Sequence, residues 1–420
     1  MIKKFYFENF KGFEKAEMPV ENLTTIIGTN ASGKTNAIEG MKILSELVTG
    51  RELSTILDGT KNIESNIRGG GKGCCRFNST YFRLGCLINY NEECDLKYMV
   101  EIKVMERTLI QTESLHEIRI DSDSRMLFKT KEPGKESGDI RVTYNNGSRG
   151  KNPDLLCIRV SSVLSQIPTK LPQDTEAGRQ IAEYAGYVAQ QLKNILFLDP
   201  EPSAMRGYSR LNDVDLKVNA SNLSSVLNRI CKETNEKAYL LNTMQHLPEN
   251  EILDITFSEG PLNDVILFLK ESYGSRQEKI DASRLSDGTL RCLAIMAALL
   301  SEKEGGMIVI EEVDNGIHPG RAKMIIRAVS TIARERKIDV MITTHNAIML
   351  NALSKQDLLG VDVVYRDADN GSSKFISLTD IDRMPELFTN GKLGDVVTSD
   401  LLLDFIKNKR KKADYSWLGV

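Results

Sequence analysis

No C-x-x-C pair occurs among the seven cysteines, Cys74, Cys75, Cys86, Cys94, Cys157, Cys231 and Cys292. An odd number without that spacing reads as reduced thiols, not as a zinc site or a disulfide framework. No apolar run reaches the roughly 18 residues of a membrane span. The amino terminus, MIKKFYFENFKGFEKAEM, meets a second cluster of charge before a signal-type apolar stretch can form. A cytoplasmic protein without a membrane partner is expected. An excess of charge of one sign is also missing: 55 Lys plus Arg face 58 Asp plus Glu, a net charge of -3, which excludes a broadly basic nucleic-acid coat. Prolines number only 11, and no internal repeat or sustained heptad is visible, so disorder and collagen-like repetition are excluded.

What remains is an ordinary soluble composition, 41% hydrophobic and 27% charged, in a 420-residue chain long enough for one large or two to three ordinary domains. Residues 1–35 read as a strand with apolar Ile2, Phe5, Phe7 and Phe10, a second short strand in LTTIIG, a glycine-bearing loop, and a helix starting near Lys34. From Gly69 to Val160, runs such as TYFRLGCLINY, LKYMVEIKV and LHEIRID alternate with turn residues, the pattern of an antiparallel sheet. Helical patterns fill 174–247, broken by the prolines of LDPEPSAMRGYSR. Strands follow in ILDITF and NDVILFLKE. From Leu285 helix and strand alternate, which argues for a parallel sheet with crossover helices.

Gly28, Thr29, Asn30, Ala31, Ser32, Gly33, Lys34 and Thr35 fit GxxxxGKT between a strand and a helix, with Asn36 next in line. Glycines let successive N–H groups turn toward phosphate oxygens, and the helix start adds a favourable dipole. Lys34 is placed to reach the β and γ phosphates, and the Thr35 hydroxyl to ligate Mg²⁺. Such a site also needs a metal carboxylate and a group that orients water. Met-Ile-Val-Ile ending in Glu311 and Glu312 supplies both, from a buried strand expected beside the phosphate-loop strand. Glu311 is assigned to Mg²⁺ and Glu312 to the base. Val340-Met-Ile-Thr-Thr leads to His345, placed to meet the γ-phosphate or the water. His116 and His318 carry no such argument, and His246 reads as a loop residue. Ser286, Asp287 and Gly288 open a strongly helical segment; residues alone leave both a capped core helix and a phosphate site open. Asp362 and Asp367 read as surface acids.

The series GTNASGKT, LSDGT, IVIEEVDNGIHP and TTHN resembles the ABC-type ATPase heads of SMC, RecF-like and OLD-like proteins. IKKFYFENFKGFEK looks like their first strand, and NASNLSSVLNRI like a helix of bacterial single-chain members known simply as AAA family ATPases. The resemblance implies an α/β fold: an ABC-type P-loop ATPase head with a mixed or parallel core sheet, an antiparallel β subdomain and a helical insert. Its parts would be 1–68 with the P-loop, 69–173 as the β region, 174–250 as the insert, and 251–420 with the signature, Walker B acids and switch histidine. It further implies a homodimer, or a higher even oligomer, closing head-to-tail around ATP and Mg²⁺. Asn30, Gly33, Lys34 and Thr35 would bind nucleotide, with Ala31, Ser32 and Asn36 around them. Ser286, Asp287 and Gly288 would act in trans, Asp314 would lie in the D-loop, and His345 would be the switch histidine. Two departures stand out: Glu311 replaces the usual aspartate, and Asp287 replaces the second signature glycine. No residue is assigned to the Q-loop.

About 250 residues without heptads separate P-loop and signature, unlike an SMC arm, and the roughly 75 residues after His345 are short for a TOPRIM nuclease. The expected function is therefore an ATPase that controls a separate effector, a nuclease or toxin, as in anti-phage modules of the Septu or PARIS kind. The alternative is a RecF-like ATP-gated DNA clamp, with the basic run Lys407 to Lys412 as its DNA contact.

Overall fold

The computed structural model describes the chain except residues 61–64, 66, 78, 120–122, 135–136, 234–235, 246–250, 382–387, 400, 403–405 and 407–420. His246, Trp417 and the basic run 407–412 therefore lie outside the described residues.

Alternation of aromatic and polar residues builds the first strand, β1 (Ile2–Phe10), with Phe5, Phe7 and Phe10 buried. It turns at Lys11 and Gly12 into β2 (Phe13–Pro19), pairing Phe10 with Phe13. This second strand was not expected: its sequence FEKAEMP carries three charged residues and few β-formers, and pairing with β1 makes it a strand. β3 (Leu23–Ile27) is buried at all five positions, as a central parallel strand must be. It feeds α1 (Lys34–Leu47), followed by α2 (Leu53–Asp58) and α3 (Gly70–Cys74). Six antiparallel strands come next: β4 (Tyr81–Asn89), β5 (Cys94–Val104), β6 (Thr108–Arg119), β7 (Arg125–Thr130), β8 (Asp139–Tyr144) and β9 (Asp154–Ile158). With β1 and β2 they form one eight-stranded sheet, order β2-β1-β4-β5-β6-β7-β8-β9. One core cluster under this sheet joins it to α1 and to the next two helices, α4 (Val163–Lys170) and α5 (Glu176–Lys193).

The stretch expected as a helical insert is interrupted. Between α5 and α6 (Pro202–Met205) runs β10 (Ile195–Leu198), which pairs in parallel with a core strand. Four apolar residues after a long helical pattern look like more helix; only their distant pairing makes them a strand. β11 (Ser209–Arg210), α7 (Leu223–Glu233) and α8 (Lys237–Gln245) follow. A small antiparallel sheet then comprises β12 (Glu251–Glu259), β13 (Asp264–Tyr273) and β14 (Arg276–Asp281), with β11 also on β13.

The rest completes the core sheet: α9 (Asp287–Ser301), β15 (Met307–Ile310), α10 (Pro319–Arg336), β16 (Asp339–Thr343), α11 (Ala347–Leu350), β17 (Val361–Arg366), β18 (Ser373–Ser377) and α12 (Leu393–Thr398). Strand order is β10-β15-β16-β3-β17-β18, parallel except for the β17–β18 pair. β15 is therefore not beside β3 as expected; β16 separates them. Asp362 also departs from expectation. It is 2% exposed on β17, between β3 and β18, where Ser377 Oγ donates to it at 2.7 Å and burial raises its pKa to about 6. Asp367 is half-buried and ion-paired with Lys374.

Candidate active site

Close packing leaves the loop after β3 no room for side chains at its two glycines. A Cβ at Gly28, where φ is 154°, would lie 2.2 Å from the Val364 carbonyl oxygen. At Gly33, φ 125°, it would lie 2.8 Å from Ser373 Oγ and 3.2 Å from Phe13 Cζ. β17 and β18 thus hold one flank of the loop. Ala31 also turns through positive φ, 61°, and its carbonyl accepts from Arg366 Nε at 3.0 Å. Asn30 and Ala31 are exposed, Ser32 is buried, and Asn36 is half-buried in the first turn of α1. Gly33 is the N-cap and no side chain caps the helix, so the α1 start keeps the N–H donors that suit an anion. Ser32 Oγ, also buried, has no hydrogen-bond partner.

Lys34 Nζ donates to the carbonyls of Gly28 at 2.7 Å and Thr29 at 3.1 Å. Burial lowers its pKa to about 8, while the charges of Glu312 and Glu311 oppose that shift. The ammonium thus sits in the loop curl with both acids near it. Thr35 Oγ1 donates to Glu311 Oε1, closing the span from the start of α1 to the end of β15. A hydroxyl and a carboxylate converging in this way are hard oxygen donors of the kind Mg²⁺ takes, and the longer glutamate reaches the threonine directly.

Glu312 follows with φ 49°, an uncommon conformation for a side chain of its size. Its N–H donates to Thr343 Oγ1 at 2.8 Å, and Val313 N–H to the Thr343 carbonyl at 3.1 Å, so the end of β16 holds the turn in place. Thr344 Oγ1 donates to Asp314 Oδ1 at 2.7 Å. His345 is exposed as a residue, yet desolvation of its ring and the charge of Lys34 lower its pKa, with Asp314 and Glu312 acting in the other direction. Its imidazole is accordingly neutral at pH 7. Lys34, Thr35, Glu311, Glu312 and His345 thus share one charge cluster at the carboxyl ends of β3, β15 and β16.

The start of α9 has a set of contacts of its own. Ser286 is the N-cap; its Oγ accepts from Thr289 N–H at 3.2 Å, and Arg321 Nη1 donates to Thr289 Oγ1 at 3.1 Å. A Cβ at Gly288 would lie 3.1 Å from the Gly316 carbonyl oxygen. Asp287 is paired with Arg206 Nη2 at 2.5 Å, and Arg206 Nη1 also donates to the carbonyls of Ser283 and Leu285. Among the described residues no hydrogen bond or ion pair joins 286–288 to the loop 28–35.

Sequence reasoning missed two groups. Arg206 was hidden at the end of α6, in a stretch whose prolines say only that a continuous helix is broken there. Glu39, one turn beyond Thr35, is buried with Lys11 at 2.6 Å and Arg68 at 2.9 Å, and Arg68 senses the charge of Glu311. Its helical spacing from Thr35 was the available signal.

A glycine-turned loop between β3 and α1, with the acids that end β15 tied to it through Thr35, is the frame of a P-loop ATPase domain. Residues 1–350 match the AAA ATPase domain, and the chain belongs to that family. No curated protein is similar enough to add a named relative. Among solved structures, the chain is similar to an Smc head bound to the C-terminal winged-helix domain of ScpA, at 13% identity and TM-score 0.48, covering 92% of this chain and 99% of that one. An SMC head domain from Thermotoga maritima gives 15% and 0.40, covering 90% and 98%. An Smc head with an extended coiled coil, bound to a C-terminal ScpA domain derived from Pyrococcus furiosus, gives 14% and 0.43, covering 92% and 99%. No helix among the described residues is long and apolar enough to cross a membrane.

Proposed function

We propose that this ATPase head closes head-to-tail with a second copy around ATP and Mg²⁺, and that closure and hydrolysis control a separate effector, a nuclease or toxin, in anti-phage defence. The contact of Thr35 with Glu311 carries the hydrolytic part: it joins the phosphate loop to the acid pair across the sheet. Thr35 and Glu311 would hold Mg²⁺, which supplies charge neutralisation at the phosphates. Lys34 binds the terminal phosphates as a cation, and α1 offers its N–H donors. Glu312, fixed by Thr343, accepts the proton of the attacking water, and neutral His345 orients that water or the γ-phosphate.

The trans role of Ser286, Asp287 and Gly288 is supported by the absence, among the described residues, of any hydrogen bond or ion pair between them and the loop of their own chain. The effector half is supported by the resemblance of NASNLSSVLNRI to a helix of bacterial single-chain AAA family ATPases, a group whose single-head members resemble the ATPase partners of defence modules. The basic run that would favour a DNA clamp lies outside the described residues. Glu312→Gln tests the proposal: the variant is expected to keep ATP, lose hydrolysis, and double its mass with ATP in light scattering. Wild-type hydrolysis by this variant would remove Glu312 from the base role. A tagged Glu312→Gln chain, expressed in its native host, should also retain a nuclease or toxin; capture of neither counts against the effector half.

A further inference from the structure

Phe77 is 80% exposed and sits at φ 44°, where a bulky residue is strained. A plain surface turn at that φ favours glycine or asparagine. The nearby aromatic cluster of Phe7, Phe10, Phe13, Phe82 and Phe375 closes without it. One face of its ring is covered by Arg76, whose guanidinium carbon lies 4.4 Å from the ring centroid. Arg76 is itself 8% exposed and held by three contacts: its N–H donates to the Asn9 carbonyl at 2.9 Å, Nη1 to Gly12 at 2.7 Å and Nη2 to Asn370 at 3.3 Å. The ring is thus exposed, yet braced from one side by a buried cation.

Its position gives this a meaning. Gly12 flanks the phosphate loop: a Cβ there would lie 2.5 Å from Ser373 Oγ, the atom that also limits Gly33, and 3.5 Å from Asn36 Nδ2. The catalytic end of a triphosphate belongs with Lys34, Glu311, Glu312 and His345, toward β16. With its reacting end toward β16, a nucleotide running the length of the loop would carry its base toward the opposite flank, where β17 and β18 follow β3 in the sheet and Phe13 and Ser373 close on Gly33. Phe77 is on that side, one guanidinium beyond Gly12.

We infer that Phe77 is the stacking platform for the nucleotide base, backed by Arg76; this rests on the reading of 28–35 as a triphosphate site. Any base offers a π-face to such a ring, so affinity and not base identity is its first readout. The test is calorimetric titration of the full chain with Mg-ATP and, separately, Mg-tripolyphosphate, which has no base. Phe77→Ala is expected to weaken ATP about tenfold, within the range of one base–aromatic stack, and to leave tripolyphosphate unchanged. Phe77→Tyr should restore ATP binding. Wild-type ATP affinity in Phe77→Ala overturns the platform while leaving the phosphate site standing. Equal loss of both ligands also overturns it, since a base platform does not touch a triphosphate without a base. A wild-type chain that binds neither ligand overturns the triphosphate reading itself.

Discussion

The Thr35 hydroxyl donates to the Glu311 carboxylate across 276 residues of sequence, tying the first turn of α1 to the end of β15. The glutamate does this with one methylene more than the aspartate usual at this position. Glu311→Asp should release the direct bond and lower stability without nucleotide by about 1 kcal/mol, the scale of one hydrogen bond. With Mg-ATP it should hydrolyse at least as fast as the wild type, because Thr35 and the shorter carboxylate would both be free to hold Mg²⁺. Thermal melts and phosphate release measure the two effects. A fall in rate of roughly a hundredfold, the weight of one well-placed electrostatic group, would show that glutamate length is matched to the metal instead.

Glu312 holds its left-handed backbone because Thr343 Oγ1 accepts its N–H at 2.8 Å. Thr343→Val keeps the shape of the side chain and deletes the acceptor. The unpaired donor should cost about 1–2 kcal/mol, and the turn carrying Glu312 should relax. We expect hydrolysis to fall roughly tenfold or more with little change in ATP affinity, since orientation of the base matters more to the transition state than to binding. Thr343→Ser should recover most of the rate. Equal changes in affinity and rate in Thr343→Val would mean that the threonine supports the phosphate site as a whole.

Lys34 has a pKa near 8 because burial disfavours its charge. As pH rises through that value the free protein loses the ammonium, whereas bound phosphates stabilise it. ATP affinity should therefore decline between about pH 7 and 9, and binding at pH 8 should take up a proton. Calorimetry in two buffers of different ionisation enthalpy reads the proton directly. Lys34→Ala should abolish both the uptake and most of the affinity. Affinity that stays flat across this range would mean that Lys34 keeps its charge without nucleotide.

What was legible in the sequence has a physical pattern. β3, α9, β15 and β16 announce themselves because elements packed in the core are rich in apolar residues and bounded by turn formers, and the phosphate loop has a fixed local spacing. β14 carries five polar residues around Ile280, and its existence depends on pairing with β13. The same holds for β10, whose partner β15 lies more than a hundred residues away. Within the site, residue types were readable but their neighbours were not. Nothing local says that β16 separates β15 from β3, or that Arg206 meets Asp287. The burial of Asp362 was equally hidden, because a single acid in VDVVYR reads the same on an edge or a central strand.

A substitution at Gly288 would distinguish action on a chain's own nucleotide from the proposed action on a partner's. A methyl there would lie 3.1 Å from the Gly316 carbonyl oxygen and 3.5 Å from Arg321 Nη1, the group that holds Thr289 beside the Ser286 cap. Gly288→Ala should shift the start of α9 by a few tenths of an ångström and leave the loop 28–35 untouched. ATP binding by a single chain is then expected to remain at the wild-type level. In a Glu312→Gln background, however, the ATP-dependent doubling of mass should disappear, because each nucleotide has lost the donors its partner supplies. The comparison uses calorimetry for binding and light scattering for assembly on the same preparations. Loss of binding together with assembly would place the α9 start on its own chain's nucleotide and remove the head-to-tail arrangement.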